Sequence, residues 1–266
     1  MFHGKRRGEI HISELNFKDF LSDQARPLGL VLSKEALNMF EVYKSVLQDW
    51  NETRFNLTAI TDDREIALKH FIDSLEISKA IKLENKELNV IDIGTGAGFP
   101  GLPVKIAFPR LKMILVDSQR KRTFFLTVLL RKLAFNDVEV FNARGEELAN
   151  DEAFRGKFNV VLMRELDKLP VNVEIGLPFL KKGGSLVLWK GKGDIAEVEK
   201  CGQFINKLGG KVGKIQKYTL ESEREKERER ERERYLIIIK KVNPTPAKYP
   251  RSYSSIMRSL KKGVYT

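Results

Sequence analysis

A chain of 266 residues holds one large domain, or one domain with a substantial extension, and 42% hydrophobic residues exclude disorder throughout. Lys plus Arg number 48 against 36 Asp plus Glu, a net charge of +12 that points to an anionic partner, either nucleic acid or an acidic membrane surface. The one cysteine, Cys201, excludes an internal disulfide and a thiolate zinc site, and it fits a reducing compartment.

The opening MFHGKRRGEIHISEL is basic with no apolar stretch behind it, so it does not read as a secretory signal. The longest apolar segment, Thr123–Leu130, is too short to span a bilayer. A soluble cytoplasmic protein is expected. From Ile12 to Ile81 the periodicity is helical: Phe40, Val42, Tyr43, Val46, Leu47 and Trp50 recur at three- and four-residue spacing. Residues 1–84 are expected to form an N-terminal helical cap.

At Leu88 the pattern changes. LNVIDIG, KMILVDS, VEVFNA, FNVVLM and SLVLWKG read as buried strands, and the stretches between them carry helical periodicity. This alternation predicts an α/β domain over 85–242, a doubly wound, mostly parallel sheet. KVGKIQKYTL and YLIIIKKV add an antiparallel pair, for seven strands. The run 221–234 that separates them has seven Glu and six basic residues, and reads as a solvated insert. Residues 243–266 are expected to form a basic tail. From Lys240 onward there are seven Lys or Arg, no acid and three tyrosines, which suits phosphates and bases.

VIDIGTGAGFPG carries the most information. A strand ends in Asp92, and Gly94, Gly96 and Gly98 follow at alternate positions before a helix. Dinucleotide folds space their glycines as GxGxxG to seat a pyrophosphate on the helix. Here the spacing is GxGxG after an acid, the pattern of class I, Rossmann-like S-adenosylmethionine folds. That ligand has no phosphate, so the loop needs closeness more than anion binding. Asp117 ends the second strand, where a carboxylate can accept both ribose hydroxyls; alone, it reads equally as a helix N-cap. Arg144, Gly145 and Glu146 follow the third strand, where they would border the adenine.

The sequence resembles the bacterial 16S ribosomal RNA guanine-N7 methyltransferase family known as RsmG, or glucose-inhibited division protein B. The likeness runs through WNETRFNLTAI, KHFIDSL, DIGTGAGFPGLPVKIAFP, LVDSQRKRTFFL, ARGEEL, GLPFLKKGGSLVLWKG, RYLIIIKK and TPAKYPR. It implies cofactor contacts at Gly94, Phe99, Gly145, Glu146 and Arg164. Two departures stand out: MRELDKL, where the family usually has small residues after the Arg, and the expanded charged run.

The chemistry follows partly from residues that are missing. Exocyclic amine methylation commonly uses Asn or Asp, two prolines and an aromatic after strand four, where this chain has Arg164, Glu165 and Leu166. Cytosine-C5 methylation needs a thiolate, and Cys201 lies past strand five. Guanine N7 offers a lone pair and loses no proton, so direct in-line transfer needs no general base. Arg164 is the candidate for positioning. RNA contacts are expected from Arg120, Lys121, Arg122, Lys248, Arg251 and Arg258, and no metal is expected. The partner would be 16S ribosomal RNA or a small-subunit particle, met by a monomer. Another methyl acceptor, or a noncatalytic RNA-binding module, stays open on the residues alone.

Overall fold

In the computed structural model, whose described residues are 16–84, 86–220 and 233–263, the early helices begin at side-chain caps. Asn16 accepts from Asp19 N at 3.1 Å to open α1 (Phe17–Ala25). Ser33 Oγ accepts from Ala36 N at 3.2 Å to open α2 (Lys34–Thr53). Asp62 caps α3, residues 63–79, by accepting from Arg64 N and Glu65 N; the middle of α3, Ala67–Ile72, is π-helical. Helix α2 turns Ala36, Phe40, Tyr43, Leu47 and Trp50 inward. Val42 departs from the expected apolar face: it is 38% exposed, because it sits about 100° round the helix from Tyr43.

Seven strands form one sheet in the order β3-β2-β1-β4-β5-β7-β6. In chain order they are β1 (Asn89–Ile93), β2 (Lys112–Asp117), β3 (Val138–Asn142), β4 (Phe158–Arg164), β5 (Leu180–Gly191), β6 (Gly210–Thr219) and β7 (Glu233–Lys241). The first five run parallel, and β7 pairs antiparallel with both β5 and β6. Helices α4 (Gly101–Ala107), α5 (Arg120–Lys132), α6 (Gly145–Leu148), α7 (Leu169–Gly176), α8 (Ile195–Lys200) and α9 (Gly202–Lys207) make the crossovers. This is the doubly wound, mostly parallel sheet that the strand–helix alternation predicts. Winding proceeds from β1 through β2 to β3, then returns to β4 on the other side of β1. The carboxyl ends of β1 and β4 therefore flank a topological switch point, where open α/β sheets bind ligands.

Strand residues alternate between two cores. Val160 and Leu162 of β4 join a cluster that includes Phe20, Phe40, Tyr43 and Phe71, so the N-terminal helices share a core with one face of the sheet. Val161 and Met163 face the opposite cluster, with Val173, Ile205 and Ile256. The last segment belongs to that second layer. Arg155 donates to the carbonyls of Ala149, Thr245 and Tyr249, and α10 (Tyr253–Lys261) packs with Ile256 fully buried. Through residue 263 the expected basic tail is a folded strap along the domain. The charged run at 221–232 lies outside the described residues; on either side of it, Tyr218 pairs with Arg234 and Thr219 with Glu233. Among the described residues no helix is long and apolar enough to cross a membrane.

Candidate active site

The loop after β1 is braced by two carboxylates. Asp92 is fully buried, and its Oδ2 accepts from Thr95 Oγ1 at 2.7 Å and Gly101 N at 2.8 Å, tying the strand end to the start of α4. Burial pushes the Asp92 carboxyl up to about 7, against these hydrogen bonds. Asp117, at the end of β2, accepts from Gly96 N at 3.0 Å on Oδ2 and from Gln119 N at 2.8 Å on Oδ1. It braces the backbone and also lies on the cavity, where Oδ1 keeps a further lone pair while Oδ2 also accepts from Arg122 Nη1 at 3.4 Å.

Over these strand ends opens a cavity of about 390 Å³, within the range of roughly 300–1,000 Å³ typical of small-ligand sites. Gly94, Asp117 and Arg122 form one side, Arg144, Gly145 and Glu146 a second, and Glu165, Leu166, Asp167 and Tyr253 close it. Gly145 is required by packing as well, since a β-carbon there would stand 2.8 Å from Ile93 Cγ2 and 2.9 Å from Ile175 Cγ2. Glu165 holds φ at +51°, a left-handed conformation unusual outside glycine, at the point where the chain leaves β4. A polar rim with Asp117 and Glu146, and apolar walls from Ile93, Val116 and Ile175, fits an adenosyl ligand: carboxylates for its hydroxyls and amine, apolar surface for its rings.

Other expected residues stand behind this wall. Gly98, at φ +102°, brings its α-carbon so near α2 that a β-carbon would lie 2.5 Å from the Tyr43 hydroxyl. Phe99 stacks between Tyr43 and His70, with ring centroids at 5.2 and 4.5 Å, so its ring serves the interface between loop and helices and does not line the cavity. Arg164 is likewise turned inward. Its guanidinium pairs with Asp73 at 2.9 Å and donates to Lys69 O at 3.0 Å and to His70 Nδ1 at 3.3 Å. A donor-only guanidinium against Nδ1 leaves the His70 proton on Nε2, which reaches Thr58 Oγ1 at 2.8 Å. Burial first, and the Arg164 charge next, push His70 down to about 3, so the ring is neutral. Tyr218 OH donates to Asp73 Oδ1 at 2.6 Å, and Trp189 Nε1 donates to Asp73 O at 2.8 Å, completing a clamp from α3 onto β4, β5 and β6.

The basic residues divide. Arg120, Lys121, Lys248 and Arg258 are exposed, and Arg122 lies on the cavity 3.4 Å from Asp117. Arg251 needs correcting as an RNA contact. It holds the fully buried Glu174 through Nε at 2.8 Å and Nη2 at 2.7 Å, and Ser259 through Nη1. Leu166, Asp167 and Tyr253 also line the cavity, although none of them is among the expected cofactor contacts. Tyr253 is one of the three tyrosines expected to offer rings to bases; its hydroxyl instead donates to Asp167 at 2.7 Å. Among the described residues no cluster of His, Cys, Asp or Glu could hold a metal ion.

The family described as rRNA small subunit methyltransferase G (GidB) matches residues 36–227, a stretch running from α2 past β6 and including every strand-end residue of the cavity. The chain belongs to that family. A ribosomal RNA small subunit methyltransferase G from Acetivibrio thermocellus is 44% identical over 238 residues, covering 90% of this chain and 94% of that one. The relative of that name from Thermoanaerobacter pseudethanolicus is 35% identical over 241 residues, covering 91% and 97%. One from Streptococcus pyogenes serotype M12 is 40% identical over 223 residues, covering 84% and 90%. As a member of the GidB family, the protein is an S-adenosylmethionine-dependent methyltransferase.

Proposed function

We propose that the protein transfers a methyl group from S-adenosylmethionine to N7 of a guanine in 16S ribosomal RNA, by direct in-line attack without a general base. The observation that carries the reading is the cavity at the β1/β4 switch point, built on GxGxG and Asp117 in a chain of the GidB family. When bound there, S-adenosylmethionine supplies the electrophilic methyl group. Gly94 gives the ligand access to the backbone, Asp117 accepts from its ribose, and Gly145 and Glu146 border its adenine. Gly96 fixes the loop through its N–H to Asp117, while Gly98 and Phe99 seat the loop on the helices. Arg164 is a positioning residue: by clamping α3 to β4 it holds the wall Glu165–Asp167 where the base would enter.

The side chains near the transfer point favour N7. No Asn or Asp followed by prolines stands after β4 to accept amine protons. Cys201 is buried, and burial raises its thiol to about 11, so it offers no nucleophile for a pyrimidine carbon. The protein acts as a monomer on 16S ribosomal RNA or a small-subunit particle in the cytoplasm. Incubating the protein with tritiated-methyl S-adenosylmethionine and 16S ribosomal RNA should label the RNA. Borohydride and aniline treatment should then cut the strand at one guanine. Label resistant to that cleavage would mean another acceptor atom, and label found only in protein would overturn the reading.

A further inference from the structure

We propose that α5 carries a stacking site, centred on Phe124, for an unpaired nucleotide of the RNA near the target base. The proposal rests on the RNA reading above. Phe124 is 57% exposed and is the one exposed aromatic ring among the described residues. Its ring is braced from behind: the centroid lies 5.8 Å from that of Trp50, which itself packs edge-on against Phe55 and Phe125 at 5.5 and 5.2 Å. A ring already fixed in this way loses little conformational freedom when a base stacks on it.

The surroundings select a phosphodiester ligand. Helix α5 holds five basic residues and no acid. Arg120 and Lys121 precede Phe124 by four and three residues and Arg131 follows by seven, so these four side chains share one exposed stripe. Lys121 Nζ also stands 5.5 Å over the Phe55 ring and Arg54 5.0 Å over Trp50. Single-stranded nucleic acid is bound by this combination of cations along a backbone track and a ring that takes any base. The same helix begins at the cofactor cavity, whose lining includes Gln119 and Arg122. RNA following the stripe therefore passes beside the site of methyl transfer.

The test uses the full chain with S-adenosylmethionine and a single-stranded oligoribonucleotide containing 2-aminopurine, whose fluorescence falls on stacking. Wild type should quench the probe. Phe124→Ala and Phe124→Leu should weaken binding by roughly 5- to 100-fold and abolish the quench, while Phe124→Tyr restores both. Cofactor affinity should be the same in all four proteins, since the ring is off the cavity, and every variant should remain folded at the assay temperature, since most of the ring is exposed. Equal RNA binding by the Leu variant would overturn the stacking site, because apolar cover alone would then suffice, as for a protein partner. If wild type methylates 16S ribosomal RNA and the Ala variant binds the probe as tightly, the stacking site alone fails. If wild type neither binds nor methylates RNA, the functional reading fails with it.

Discussion

A β-carbon added at Gly96 meets no protein atom within 4 Å, whereas one added at Gly98 falls 2.5 Å from the Tyr43 hydroxyl and 2.8 Å from Leu102 Cδ1. Both residues have positive φ, so any side chain costs about 1–2 kcal/mol of backbone strain. The consequences should separate beyond that. Gly96→Val should lower the melting temperature only slightly yet abolish S-adenosylmethionine binding by calorimetry, since its side chain occupies the open side of the loop. Gly98→Ala should unseat Tyr43 and lose several degrees, with cofactor affinity less affected. Two buried groups make a second prediction, in pH. His70 is held near 3 by burial and by Arg164, so between about 3 and its ordinary 6.5 the unfolded chain binds a proton that the folded one refuses. Its contribution to stability is present above 6.5 and is lost as pH falls. Asp92, raised to about 7 by burial, works oppositely: between its ordinary 3.8 and 7 the folded chain keeps a proton that the unfolded one has released. Its effect is destabilising above that window and relieved on acidification. Each slope approaches about 1.4 kcal/mol per pH unit, so in wild type they offset. Scanning calorimetry from pH 6.5 to 4.5 should show Asp92→Asn losing more melting temperature than His70→Asn; identical profiles would refute the opposed titrations.

At the scale of elements, the β6–β7 pair tests how much the charged run contributes. Register is fixed next to it by Tyr218 against Arg234 and Thr219 against Glu233, and doubling the length of a connection between two chain ends so held costs only about 0.6 kcal/mol. Shortening 223–231 to a tight turn should leave the melting temperature and methyl transfer nearly unchanged. A variant that folds but no longer engages RNA would make the run a binding element. Sheet and crossover helices are legible in the sequence because parallel strands, covered on both faces, read as unbroken Val, Ile and Leu runs separated by amphipathic stretches. The glycine loop is legible because it is local: strand end, turn and helix start lie within twelve residues. What escapes the sequence depends on contacts between distant segments. Nothing in the local pattern around Arg251 distinguishes a phosphate ligand from the partner of Glu174, 77 positions earlier. Likewise KHFIDSL shows His70 and Asp73 on adjacent helical turns, but their meeting with Arg164 and Tyr218 exists only once α3 lies on the sheet.

Across the whole molecule, the net charge of +12 resolves into cations that face solvent and cations that hold the fold together. Lys248 and Arg258 are exposed, so replacing both by Ala should flatten the dependence of log affinity for RNA on log salt by about 0.7–0.9 for each phosphate no longer neutralised. Arg251→Ala should instead leave that slope alone and destabilise by about 3 kcal/mol, because the buried Glu174 would lose the guanidinium that balances its charge and keep only weaker hydrogen bonds such as that from the backbone N–H of residue 251. Filter binding across a salt series, with thermal melts of the same proteins, checks both halves; a flattened slope in Arg251→Ala would restore that residue to the RNA surface. The strap that Arg251 secures also sets an order of events during synthesis. The glycine loop emerges from the ribosome about 160 residues before Tyr253, yet Tyr253 and its bond to Asp167 complete the cavity wall. A nascent chain therefore carries the loop long before it has the full cofactor site. The cavity wall closes only once α10 has been made and has docked.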